Sequence, residues 1–142
     1  MRWLLDTCTL SESCLPQPHL GVQNWLRAHI DDCAVAAASF GEIQYGIASL
    51  ALGAKRNRLQ AWLGTLEQQF SDRILATDDA VWRQFGDLKA SLRAMGRMQD
   101  ALDMAIAATA LQHGLALVTR NIRHFEDTGL VLVNPWSDLP EA

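Results

Sequence analysis

Short continuous apolar runs alternate along this chain with apolar positions spaced three and four apart. Trp3-Leu4-Leu5 is a continuous run stopped by Asp6, and it predicts a buried strand. Val22 to Ile30 predicts a helix, Cys33 to Ala38 a strand of small residues, and Ser39 to Leu52 a second helix. Leu59, Trp62, Leu63, Leu66 and Phe70 follow with the spacing of an amphipathic helix. A short strand is expected at Arg73 to Ala76. The next helix is capped by Thr77 or Asp78, carries Val81, Trp82, Phe85, Leu88 and Leu92, and ends at Gly96. Asp100 to His113 predicts a further helix stopped by Gly114, and Leu115 to Val118 and Leu130 to Val133 read as strands buried on both faces. This order predicts a three-layer α/β/α domain with a mostly parallel central sheet, whose ligands belong at the carboxyl ends of the strands. Asp6 stands at such an end. No repeat, low-complexity stretch or internal boundary interrupts the pattern, so residues 1–142 are expected to form a single domain.

Composition narrows the function. With 49% hydrophobic and 20% charged residues, and no run near the roughly 18 apolar residues of a membrane span, a soluble protein is expected. Arg2 leads straight into the first strand, which leaves no room for a cleavable signal peptide and points to the cytoplasm. Cys8, Cys14 and Cys33 are odd in number and lack CxxC spacing or an adjacent histidine, so reduced thiols fit better than disulfides or a zinc site. A net charge of −4 argues against a broad electrostatic grip on nucleic acid, so any such grip must be local. Lys55, Arg56 and Arg58 cluster, Arg93 and Arg97 lie one helical turn apart, and Arg120 with Arg123 follows the strand at Leu115 to Val118. Each cluster also reads as a solvated surface. The first stands out because cations near a helix start oppose the macrodipole.

Candidate chemistry lies in three separated acids. Asp6 ends a strand, Glu42 opens a helical segment and Asp103 precedes Ala105-Ile106-Ala107-Ala108-Thr109-Ala110. Carboxylates are hard oxygen ligands that repel one another unless a cation lies between them, so the set suits Mg²⁺ or Mn²⁺ better than zinc. Each acid has a structural alternative. Ser39-Phe40-Gly41-Glu42 fits a Ser-x-x-Glu capping box, and Asp100 can cap its helix with Asp103 in the favourable first turn. Asp6 is harder to explain structurally, because a carboxylate directly after three apolar residues has no adjacent Lys or Arg to pair with.

Leu4-Leu5-Asp6-Thr7, then Ser39-Phe40-Gly41-Glu42-Ile43, then Asp103 with Ala107-Ala108-Thr109-Ala110, then Thr119-Arg120-Asn121 resembles the PIN-domain ribonucleases, specifically their VapC/FitB-like toxin branch. The resemblance runs from Leu4 to Pro135-Trp136. It implies that Asp6, Glu42 and Asp103 are catalytic and hold Mg²⁺ or Mn²⁺, with Asp103 rather than Asp100 at the family's acidic position. It makes Thr7, Thr119, Asn121 and His124 possible accessory residues, and Lys55, Arg56, Arg58 and Arg120 possible RNA contacts. It implies an RNA substrate, a small antitoxin that plugs the cleft with a basic segment, and a homodimer. The helix face bearing Leu59, Trp62, Leu63 and Leu66 is a candidate dimer surface or part of the core.

Two departures stand out. Cys8 replaces the asparagine common after Asp-Thr in the family, and His124 stands where a fourth acid is expected in Thr119-Arg120-Asn121-Ile122-Arg123-His124-Phe125. Glu126 and Asp127 follow closely as substitute acids. A domain weakened at Cys8 and His124 could instead serve as a binding module for nucleic acid or protein. A phosphatase of the haloacid-dehalogenase type is disfavoured, since its Asp-x-Asp motif needs an acid where Cys8 stands.

Overall fold

A computed structural model of the chain describes residues 1–137. Five short strands form one sheet in the order β3-β2-β1-β4-β5, where β1 is Trp3–Leu5, β2 Cys33–Ala36, β3 Ile74–Leu75, β4 Ala116–Val118 and β5 Leu132–Val133. Every pairing is parallel, with Leu4 opposite Ala34 on one side and Leu117 on the other. Parallel neighbours require crossovers, and the helices supply them: α1 (Thr7–Glu12), α2 (Leu20–His29), α3 (Ala37–Ala48), α4 (Ala54–Gln69), α5 (Asp79–Ala94) and α6 (Ala101–His113).

Side chains alternate across the strands and so divide the interior into two cores. Leu4, Ala34, Ala36 and Leu117 pack with Leu88 and Leu92 of α5 and Met104, Ile106, Ala107 and Ala110 of α6. Leu5, Cys33, Val35 and Val118 point the other way, onto Leu10 of α1, Trp25 of α2, Ile43 and Ile47 of α3, and Leu63 and Leu66 of α4. The expected three-layer α/β/α architecture is therefore formed, with the sheet covered on both faces. Among the described residues no helix is long and apolar enough to cross a membrane.

Helix boundaries follow local chemistry. Asp78 caps α5 by accepting from the Val81 amide at 3.0 Å, and Asp100 caps α6 by accepting from the amides of Leu102 and Asp103. Gly114 ends α6 with a left-handed φ of 66°, a conformation open to glycine without a Cβ penalty. The three cysteines are free thiols.

Three expectations are corrected, and one element was missed. β2 ends at Ala36, and α3 starts at Ala37, because the alanines at 37 and 38 extend the helix towards the sheet. Ser39 consequently lies inside α3 and caps nothing, so the capping box with Glu42 does not form. The apolar face of α4 is no free dimer surface, since Leu63 and Leu66 are buried in the core and Leu59 and Trp62 pack against it. Finally, α1 was not legible as a helix. Its six residues, Thr-Cys-Thr-Leu-Ser-Glu, are too few for periodicity and mostly weak helix formers.

The order of strands reverses at β1: the chain first moves to β2 and β3 on one side of it, then crosses to β4 and β5 on the other. Such a switch point opens a crevice beyond the carboxyl ends of the central strands. Here that crevice lies beyond Leu5 of β1 and Val118 of β4.

Candidate functional site

Asp6 and Thr119 are the first residues past these two strand ends. Asp6 is only 4% exposed, yet its carboxylate is well supplied with donors. Oδ1 accepts from the Thr7 amide at 2.8 Å as the cap of α1, and Oδ2 accepts from the Thr119 hydroxyl at 2.7 Å and from the Cys8 thiol at 3.4 Å. Donors to the charged form replace the missing Lys or Arg and make burial of this carboxylate tolerable. Thr119 in turn accepts from the Asn121 amide at 3.0 Å, which shapes the turn after β4. The Thr9 hydroxyl donates to the Val118 carbonyl at 2.8 Å and pins α1 to the same strand end.

Asp103 reaches this crevice from the first turn of α6, and Glu42 from the second turn of α3, where no capping contact engages it. Asp6, Glu42, Asp103, Asn121 and His124 thus line one open cleft of about 440 Å³, together with Asp100. Thr7, Cys8 and Ser11 form its α1 wall, and Leu102 its α6 edge.

The cleft carries unbalanced negative charge. Burial, then the charge of Asp6, raises the Asp103 carboxyl to about 6, with weaker contributions from Asp100 and Glu42. His124 opposes this shift: its Nδ1 lies 3.1 Å from Asp103 Oδ2, and a protonated ring there favours the carboxylate. Burial, followed by the Asp6 charge, raises the Cys8 thiol, so Cys8 acts as a weak neutral donor and not as a thiolate.

These residues fit a hydrated hard cation. No group of three His, Cys, Asp or Glu side chains among the described residues is already gathered as a closed cage, because Asp103 is turned to His124 and Asp6 to Thr7 and Thr119. Mg²⁺ needs no such cage, as it keeps several waters and is held through one or two carboxylates. A second observation agrees: the buried Thr7 Oγ1, in the cleft wall, has no hydrogen-bond partner among the described residues. A buried hydroxyl normally finds one, and a cation-bound water beside Asp6 would supply it.

Other expected residues lie elsewhere. Lys55, Arg56 and Arg58 occupy the first turns of α4 and do not line the cleft; Arg56 donates to the Leu50 carbonyl at 3.3 Å. The Arg120 guanidinium sits 5.6 Å over the Trp136 ring, away from the cleft lining. Glu126 and Asp127 both face Arg97, so neither replaces the acid absent at His124. Sequence reasoning missed Ser11 and Leu102 as lining residues. It treated Asp100 only as a cap, whereas Asp100 caps α6 and lines the cleft at once.

Comparison with known proteins gives a consistent picture. The PIN domain family model matches residues 3–130. The chain is 33% identical to the VapC ribonuclease Y4jK of Sinorhizobium fredii, over 94% of this chain and 96% of that protein. It is 36% identical to Toxin FitB of Neisseria gonorrhoeae, over 95% of this chain and 99% of that protein. Among solved structures, that of FitAB bound to an IR36 DNA fragment superposes with a TM-score of 0.87 at 32% identity, covering 94% of this chain and 95% of the other.

Proposed function

We infer that this chain, which belongs to the PIN-domain family, is the toxin of a type II toxin–antitoxin pair and hydrolyses RNA phosphodiester bonds with Mg²⁺ or Mn²⁺. One observation carries the reading: Asp6, Glu42 and Asp103, brought from three separate elements, line one cleft at the carboxyl ends of β1 and β4, where burial and the charge of Asp6 raise the Asp103 carboxyl. A site of this kind repels an anionic substrate until a cation offsets its charge.

Asp6, Glu42 and Asp103 would hold the cation, with Thr119 and the Thr7 amide fixing the Asp6 carboxylate. When bound, the ion supplies Lewis-acid stabilisation of the phosphate and a lowered pKa for an attacking water. The chain's own contribution is placement. Asp6 is immobilised by two strand-end donors, Asp103 and Glu42 approach from opposite helices, and Asn121 offers an amide to the substrate. His124 is 54% exposed at the cleft edge, within reach of an incoming phosphate oxygen once it leaves Asp103.

The relatives named FitB and VapC, and the FitAB assembly on DNA, support an antitoxin partner for this chain. We place its basic segment in the acidic cleft, with a guanidinium or ammonium between Asp6 and Asp103. A homodimer is part of the same proposal, with an interface other than the buried face of α4.

A second reading has its own observation. Because His124 already engages Asp103, the chain could bind RNA or protein with little turnover. Incubating purified protein with a mixed transfer RNA pool in Mg²⁺, Mn²⁺ or EDTA separates the readings. Cleavage that needs the cation and disappears in Asp6→Asn is expected; RNA binding with no cleavage in either cation would favour the binding module.

A further inference from the structure

We propose that a second pocket, beside the cleft, binds a nucleotide of single-stranded RNA that flanks the cut site. It lies between the carboxyl-terminal half of α5 and the segment leading to α6, has a volume of about 320 Å³, and is lined by Leu92, Met98 and Met104 with Lys89, Arg93 and Arg97. An apolar floor rimmed by cations suits a base packed flat with its phosphates held at the edge. The volume falls in the range of small-ligand pockets.

Position and charge both point to the same occupant. Lys89 and Arg93 lie four residues apart on α5, about 6 Å along its axis, and Arg97 follows just past the end of the helix at Ala94. Lys89 and Arg93 are exposed and make no ion pair among the described residues. Such a row has no structural duty in α5, whose buried contacts come from Val81, Leu88 and Leu92. Arg97 connects the row to the cleft: it donates to the Arg123 carbonyl at 3.1 Å and pairs with Asp127, beside His124 at the cleft edge. Met104 of the floor directly follows Asp103. A strand leaving the cleft past His124 therefore passes Arg97, whose charge Glu126 and Asp127 already offset, and meets the unpaired cations Arg93 and Lys89. In a chain of net charge −4, this row together with an acidic, cation-dependent cleft separates affinity from chemistry. Met98, 94% exposed, is placed to pack on a base from outside.

This proposal rests on the ribonuclease reading, and the test separates the two. Binding of a fluorescein-labelled single-stranded RNA of mixed sequence is followed by anisotropy in EDTA, over a series of salt concentrations, for the full chain and for Lys89→Ala/Arg93→Ala. The double variant should bind at least fivefold more weakly. It should also flatten the plot of log affinity against log salt by about 1.4, since each phosphate contact on a single strand contributes about 0.7. With Mg²⁺ its KM for RNA should rise while kcat and the calorimetric Mn²⁺ isotherm stay unchanged. Met98→Glu, at an exposed position, should weaken RNA binding without altering the far-ultraviolet dichroism. Unchanged affinity and salt slope in the double variant would overturn the pocket even if the protein cleaves RNA. RNA binding that depends on this row in a protein without cleavage would uphold the pocket and sink the nuclease reading. Loss of antitoxin binding with RNA binding intact would assign the row to an acidic protein segment and overturn the proposal.

Discussion

The Thr119 hydroxyl donates to Asp6 Oδ2 at 2.7 Å, joining the ends of adjacent strands across 113 positions of sequence. The bond lies entirely in the interior and fixes the orientation of the carboxylate before any ligand arrives. Thr119→Val keeps the shape and removes the donor. Outer partners of metal ligands typically contribute 10–100-fold to affinity or activity, so Mn²⁺ affinity should fall by about tenfold or more. Calorimetric titration of the variant measures this; an isotherm matching that of the unmodified protein would show that the Thr7 amide and Cys8 thiol hold Asp6 without Thr119.

Asp6→Asn, Glu42→Gln and Asp103→Asn each keep side-chain volume and delete a charge. Each is expected to lower RNA cleavage by about 100-fold or more, exceeding the effect of an outer partner. Asp100→Asn should be much milder, because asparagine still caps a helix and Asp100 lies at the mouth of the cleft. Single-turnover rates with circular dichroism decide this, and equal losses at positions 100 and 103 would show that the wrong aspartate of the pair had been chosen.

The raised Asp103 carboxyl sets a sign for pH effects. Its folded value of about 6 lies above the ordinary 3.8, so the folded chain retains a proton that the unfolded chain has released between these values. Its contribution to stability is therefore present at low pH and lost as pH rises through about 6. In EDTA, Asp103→Asn should have a higher melting temperature than the unmodified chain at pH 7.5, and the advantage should vanish near pH 4. Cation affinity should rise with pH through the same window and then level. Thermal melts of both proteins at the two pH values test the first point, and an advantage of the same size at both would place the shifted proton elsewhere.

His124→Asp introduces a carboxylate beside Asp103 in place of the 3.1 Å imidazole contact. Without cation the exchange should destabilise the chain, since a partner becomes a repelling neighbour. With Mn²⁺ it should bind the ion more tightly, by several-fold in dissociation constant. Titration and melting in the presence and absence of Mn²⁺ give both arms, and an unchanged isotherm would place position 124 outside the cation site.

Partners can be tested in cells and in solution. Expression of the chain alone should arrest growth, co-expression with a cognate antitoxin should relieve it, and light scattering should report about twice 15.7 kDa. Asp6→Asn should be harmless when expressed. Growth arrest by Asp6→Asn as severe as by the unmodified chain would detach toxicity from the cleft.

Apart from the short helix α1, the order of elements and the positions of the three acids could be read from residues alone, because apolar periodicity and helix stops are local properties. Trp3-Leu4-Leu5 before Asp6 and the Gly114 stop of α6 needed no tertiary information. Residue motifs likewise indicated the PIN family before any contact was known. Whether Glu42 served a cap or the cleft depended on where α3 began, and packing of Ala37 and Ala38 into that helix decided it. Proximity of Asp6 to Thr119, the pairing of His124 with Asp103, and the turning of Glu126 and Asp127 to Arg97 were invisible in sequence. Each is a contact between segments whose separation is set by the parallel sheet, and no local preference encodes which strand ends become neighbours. The same holds for α4: its periodic face announced burial, but only the sheet beneath it determined that the face was filled by the protein's own core.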